Sequence, residues 1–394
     1  EQEGNVRIND IQAKLREEGL DGWLFFDHHR RDPLSYRVLQ FEPGSMVTRR
    51  WFYFVPAQGE PRGLVHKIEA ETLKEITTNP LRYAGWAELV QGVEKLLAGS
   101  KRIAMQYSPQ CAVPYVAMVD AGTVELIRGL GVEIASSANL IQFFEARWSK
   151  QQMESHLEAG RRVDKIRAEA FARVSSKQAA RERVTEWDIK QYILSRFEED
   201  GLFTDHGPDI AVNGNASNPH YDPKADSCAE IKPGDFVLMD MWAKLKQPSS
   251  VYYDITWVGF CGDQVPEKIQ HVFDAVTGAR NAAIERVKSA IATGAPLCGY
   301  QVDDAARAVI DKAGYGPYFF HRTGHSIGEE VHGTGANMDN LETHDERRVI
   351  PWTCFSIEPG VYLPEFGIRS EIDMFVDESS ARVTGEMQER IVQI

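Results

Sequence analysis

Cysteine is scarce and unpatterned in this chain of 394 residues. Cys111, Cys228, Cys261, Cys298 and Cys354 are odd in number, widely spaced and without a Cys-x-x-Cys pair, so they exclude a disulfide framework and read as free thiols in a reducing compartment. Long apolar runs are missing as well: nothing approaches the ~20 residues that span a bilayer, and no signal-peptide pattern opens the numbered chain. A cytoplasmic protein with no membrane partner is expected, although Glu1 rather than Met stands first and a removed leader is compatible with that start. Positive charge is short, 44 Lys and Arg against 58 Asp and Glu for a net charge of −14. That balance argues against a nucleic-acid partner, which requires clustered cations; the pairs Arg30-Arg31, Arg49-Arg50 and Arg347-Arg348 read as solvated or rim charge. No low-complexity tract interrupts the chain, and its length predicts two domains or one very large one, with ample core.

What is present divides near Glu145 to Gln151. Before it, Ile8, Ile11 and Leu15 have helical spacing with Gly19 as a stop, Gly22 to Phe26, Trp51 to Pro56 and Arg102 to Gln106 read as strands, and Trp86 to Leu97 as an amphipathic helix. Alternation of this kind predicts an α/β layer domain over residues 1–146. After it, Ser149 is a candidate N-cap for a long helix through Met153 to Val174, and Thr185-Glu-Trp-Asp188 has capping-box spacing ahead of a helix that Gly201 ends. The stretch from His206 to Pro223 is rich in Gly, Asn and Pro, and its turns present His220 at a cleft edge. Further helices are expected over 266–292 and 302–313. Lys244 to Ser250 reads as a lengthened hairpin loop.

Five residues able to bind a hard divalent cation recur between Phe236 and Met374 on short strand-like segments: Asp240 after Phe-Val-Leu-Met, Asp254 in Tyr-Asp-Ile-Thr, His325 in Gly-His-Ser-Ile-Gly, Glu358 in Ser-Ile-Glu-Pro-Gly and Glu371 in Gly-Ile-Arg-Ser-Glu. An acid ending an apolar run is expected to point into a cavity, and several buried anions need cations to neutralise them. Four carboxylates and an imidazole without a thiolate suit Mn²⁺, Co²⁺, Fe²⁺ or Zn²⁺ rather than a structural zinc cage. A pair of metals about 3.5–4 Å apart is the natural arrangement. Taken singly, each residue would be an ordinary strand cap, core or surface group.

In that order and inside those motifs the five resemble the dinuclear site of the pita-bread-fold metallopeptidases, which include methionine aminopeptidase, Xaa-Pro aminopeptidase and Xaa-Pro dipeptidase (prolidase). The resemblance implies an α+β fold: a catalytic domain over 147–394, with a curved antiparallel sheet backed by two helix pairs, after a creatinase-like α/β domain over 1–146. It also implies that Asp254 and Glu371 bridge two divalent metal ions, manganese foremost, with Asp240 completing one site and His325 and Glu358 the other. His220, in Asn-Pro-His-Tyr, and His332 are similar to the substrate-side histidines of the proline-specific branch, and His321 and Arg369 also fall on motif positions, Arg369 as a clamp for a substrate carboxylate or as a partner orienting Glu371. Three features depart from the pattern. Trp257 follows Thr256 where the family usually has Arg, Asp240 and Asp254 are more widely spaced than usual, and Gly333 follows His332 where an acid is common.

The expected activity is hydrolysis of the amide bond before proline in small peptides with a free amino end, by an Xaa-Pro dipeptidase or Xaa-Pro aminopeptidase acting as a homodimer. Two cations would lower the pKa of a shared water to give a hydroxide nucleophile, Glu358 would serve as general acid and base, and His332 and His220 would stabilise the developing oxyanion and hold the carboxyl side of the substrate. The alternatives are a related hydrolase acting on a non-proline amide and a metal-free binding module of the same fold. Retention of all five ligand positions favours the enzyme.

Overall fold

Both β1 (Gly22–Asp27) and β2 (Trp51–Pro56) are buried along their whole length, as strands covered on two faces must be. They form the centre of a six-stranded mixed sheet in the first of two units, Glu1–Glu145 and Ala146–Ile394, of the computed structural model, which describes residues 2–43 and 46–394. The other strands are β3 (Arg62–His66), β4 (Leu81–Tyr83), β5 (Arg102–Met105) and β6 (Glu133–Ser136), in the order β4-β3-β2-β1-β5-β6. Alternate side chains supply two apolar layers. Trp23, Phe25, Trp51 and Tyr53 pack with residues of α1 (Gln2–Glu17), α2 (Pro33–Leu39) and α5 (Ala138–Glu145). Leu24, Phe26, Phe52 and Phe54 pack with α3 (Trp86–Leu97) and α4 (Ala121–Gly129) on the opposite face.

The second unit starts with α6 (Lys150–Ala179), where Ser149 accepts from the Gln152 amide and Gln152 returns the bond in a capping box, and α7 (Glu186–Glu199), capped likewise by Thr185 and Asp188. These helices back a sheet of β7 (Leu202–Phe203), β8 (Asp209–Val212), β9 (Phe236–Leu245) and β10 (Tyr253–Phe260), with the C-terminal β17 (Val392–Gln393) beside β10. After α8 (Glu267–Thr293) and α9 (Gly299–Lys312), a second helix pair, come β11 (Ser326–Ile327), β12 (Thr353–Ile357), β13 (Gly360–Leu363), β14 (Phe366–Arg369), β15 (Ile372–Val376) and β16 (Ala381–Val383). The order β11-β12-β15-β16 is antiparallel throughout, and β13 and β14 form a separate hairpin.

Three expectations need correction. Asp240 does not end an apolar run; it sits in the middle of the ten-residue β9, because Ala243 and Leu245 extend the strand against β7 and β10. The wide hairpin loop therefore starts beyond Leu245 rather than at Lys244. The segment from His206 to Pro223 is not all turns either: Asp209–Val212 is a strand paired with β9, a short apolar run concealed by the Gly, Pro and Asn on either side.

Candidate metal centre

The β9–β10 hairpin sets the geometry. Thr256 is directly opposite Asp240, and Trp242 opposite Asp254; with the period of two along a strand, Asp240, Asp254 and Thr256 share one face. On the other face Met239, Met241, Tyr253 and Ile255 pack against Ala159, Val163 and Ile166 of α6. Trp257 belongs to that rear face, where the Arg167 guanidinium lies 3.4 Å from its ring centroid.

The second half of the unit delivers its groups from strand ends. His325 precedes β11, Glu358 follows β12 and Glu371 precedes β15. Gly324 has a steric reason: a Cβ there would stand 1.9 Å from the Ser356 carbonyl oxygen, so only glycine lets the chain carrying His325 lie this close to β12.

Donor atoms of Asp254, His325 and Glu371, all buried, converge within 4.8 Å of one another. Glu358 joins them through an oxygen 3.3 Å from His325 Nε2, and Asp254 Oδ2 is 3.6 Å from the same nitrogen. Asp240 stands outside the tightest set, ion-paired with Arg369. The Arg369 Nε donates to Thr256 Oγ1 at 2.9 Å and one terminal nitrogen to Tyr362 Oη at 3.2 Å. Thr256 Oγ1 in turn donates to Glu371 at 2.5 Å. The His325 Nδ1 faces the Ser326 carbonyl at 3.2 Å, so Nδ1 carries the proton and Nε2 presents its lone pair to the carboxylates, the tautomer a metal requires.

Electrostatics support the same reading. Burial drives the Asp254 carboxyl well above the usual range, and neighbouring Glu371 and Asp240 add to it; burial, Glu358 and Asp240 do the same to Glu371. Asp240 is raised by burial against the pull of Arg369, and Glu358 is pushed up to about 7, again chiefly by burial. Burial holds His325 neutral. Arg369, even with Arg322 acting on Glu358, cannot neutralise four carboxylates that are brought together, so the cluster fits divalent cations.

The remaining candidates ring this centre. The His332 ring stands perpendicular to that of His325 with centroids 4.4 Å apart, and burial lowers its pKa to about 4. His220 is exposed on the loop after β8, its charge felt by Asp240 and His332. His321 is engaged on both nitrogens, with the Arg322 carbonyl and the Tyr362 hydroxyl, each at 2.7 Å. Arg369 is buried among groups of the site itself.

Four contributors escaped the sequence reading. Thr256 and Ser356 stand inside ligand motifs without being candidate ligands; Ser356 accepts from the His325 amide at 3.0 Å and donates to Glu358 at 3.2 Å. Asp373 accepts from the Asp254 amide at 2.8 Å. All three lie two positions from a candidate ligand, where a strand returns to the same face, and that rule could have found them. Tyr362 carries no comparable signal.

Comparison with known proteins gives one family and one fold. Residues 156–378, more than half of the chain, match the model of metallopeptidase family M24. An Xaa-Pro dipeptidase of Lactobacillus delbrueckii subsp. lactis is 31% identical over 163 residues, 41% of this chain and 40% of that protein. The chain thus spans about half or less of the length of the curated relatives it matches first. Among solved structures, dipeptidase PepE from Mycobacterium ulcerans superposes with a TM-score of 0.66 at 22% identity, covering 99% of this chain and 98% of that one. An Xaa-Pro dipeptidase from Bacillus anthracis gives 0.60 at 18%, covering 99% and 100%. The fold is therefore the α+β pita-bread fold expected from the sequence.

Proposed function

The chain belongs to metallopeptidase family M24, and from that premise we propose that it hydrolyses the amide bond before proline in small peptides with a free amino end, as an Xaa-Pro dipeptidase or Xaa-Pro aminopeptidase working with two divalent metal ions, manganese foremost. The observation that carries the reading is the buried convergence of Asp254, His325 and Glu371 within 4.8 Å, with Glu358 and the Asp240–Arg369 pair beside it. Asp254 and Glu371 would hold both ions, Asp240 one of them, and His325 and Glu358 the other. When bound, such ions supply Lewis acidity and lower the pKa of a water.

The chain's own groups do the rest. Glu358 takes the proton of the attacking water and passes it to the leaving nitrogen. His332, neutral at physiological pH, donates an N–H to the developing oxyanion. His220, on its exposed loop, meets the carboxyl side of the substrate. Arg369 pairs with Asp240, favouring its charged form against burial and holding it in place. A homodimer is part of this reading and is checked by light scattering.

The test is hydrolysis of Xaa-Pro against Xaa-Pro-Yaa-Zaa by protein loaded with Mn²⁺, Co²⁺ or Zn²⁺. Turnover of the first alone makes it a dipeptidase, and turnover of the second an aminopeptidase. Turnover of neither by protein that holds its metals refutes the proposal.

A further inference from the structure

Asp209 is a carboxylate at the edge of the site that the mechanism above does not use. It lies on β8 directly opposite Asp240 of β9, so the two side chains share a face, their Cβ atoms about 4.5–5.5 Å apart. Like charges so placed repel. The two cations nearest to it serve other acids: Arg369 pairs with Asp240 and Lys190 with Asp222. Among the described residues the half-buried Asp209 carboxylate has neither a hydrogen bond nor an ion pair.

Its position has a direction. The strands run β10, β9, β8, so Asp209 lies one strand spacing outward from Asp240 and two from Thr256, and it is roughly 12 Å from Asp254, which sits two residues further along β10. That is too far to join the tight donor set. It is within reach of a side chain whose backbone is seated beside Asp240: a four-carbon lysine stem spans one strand spacing of about 4.8 Å.

We propose that Asp209 is a specificity-determining residue that receives the cationic side chain of the residue before the scissile bond, making lysyl and arginyl peptides the preferred substrate class of this site. The inference rests on the function proposed above. A carboxylate without a dedicated cation, on the same sheet face as Asp240, is completed by an ammonium or guanidinium brought by the substrate.

The test compares lysyl-proline with norleucyl-proline, a neutral side chain of similar length, and reads the ratio of kcat/KM so that a general loss of activity cancels. The wild type is expected to favour lysyl-proline about tenfold to a hundredfold, as befits one charge-assisted hydrogen bond in a part-buried site. The ratio falls to within about threefold of unity in Asp209→Asn and is restored in Asp209→Glu. A second readout is independent of turnover and of any variant that folds poorly: calorimetry on the wild type should find lysinamide bound about tenfold or more tightly than norleucinamide, a difference that shrinks with added salt. Hydrolysis of both peptides with no preference for lysine, or a preference that survives in folded Asp209→Asn, overturns this inference alone. An equal loss on both peptides in Asp209→Asn assigns the residue to the amino end instead and also overturns it. A wild type that holds metal and cleaves neither peptide removes the function beneath it.

Discussion

Thr256→Val removes one hydroxyl and little else. The Oγ1 of Thr256 is fully buried, accepts from Arg369 Nε at 2.9 Å and donates to Glu371 at 2.5 Å. It therefore aims a carboxylate expected to hold both metals and links it to the cation that pairs with Asp240. Each bond involves a charged partner, and such bonds are worth about 1.5–3 kcal/mol. Losing the aim of Glu371 corresponds to one of them, or a ~10–100-fold weaker affinity, the range found for groups that orient metal ligands. The assay is calorimetric titration of metal-free protein with Mn²⁺, for wild type, Thr256→Val and Thr256→Ser. We expect the valine variant to bind about 10–100-fold more weakly, the serine variant to stay within about threefold of wild type, and saturating metal to recover much of the activity of the valine variant. An Mn²⁺ affinity in Thr256→Val equal to that of wild type would refute the argument that this hydroxyl positions Glu371.

The other predictions concern the same centre and its rear face. Glu371→Gln should lose bound metal and turnover together, whereas His332→Ala should keep its metals and lose on the order of 10²–10³ in kcat; metal analysis beside kcat/KM on an Xaa-Pro dipeptide separates the two, and normal turnover by Glu371→Gln contradicts the assignment. Metal-free protein should lose thermal stability between about pH 6.5 and pH 8. The carboxyls of Glu358 and Asp209, raised in the folded state to about 7, bind protons there that the unfolded chain has released, so stability falls as pH rises. His332, His321 and His156, lowered to about 4, about 3 and about 4, act with the opposite sign, chiefly below about 6.5 and fading above it as the unfolded histidines lose their charge, while Asp254 and Glu371, also raised by burial, add to the fall. A melting temperature that rises across that window, or an equal slope with Mn²⁺ bound, contradicts this account. Trp257→Arg should destabilise by roughly 1 kcal/mol or more, since it replaces a cation–π contact with Arg167 by like-charge repulsion; unchanged melting in parallel wild-type and variant scans counts against it.

Much of the second unit was legible because its signals are local. Ser149 with Gln152 and Thr185 with Asp188 announce the starts of α6 and α7 by side-chain chemistry confined to one turn. The apolar run before Asp240 announces β9. The Asp209–Val212 strand was not legible, because four residues between turn formers acquire strand geometry only from the ladder that β9 offers them.

By itself, then, the sequence determined the chemistry available: which residues are acids and imidazoles, their order along the chain, and the glycine at position 324 that lets His325 approach β12. Tertiary structure alone decided which of these meet. The β9–β10 register sets Asp240 opposite Thr256, the pairing of β8 with β9 places Asp209 beside Asp240, and the ends of β12 and β15 carry Glu358 and Glu371 towards residues more than a hundred positions earlier. The physical reason is that proximity across strands depends on register and on the layer behind the sheet, both set by the packing of whole elements, whereas composition and short-range spacing act only over the few residues that a turn of helix or a strand repeat can reach.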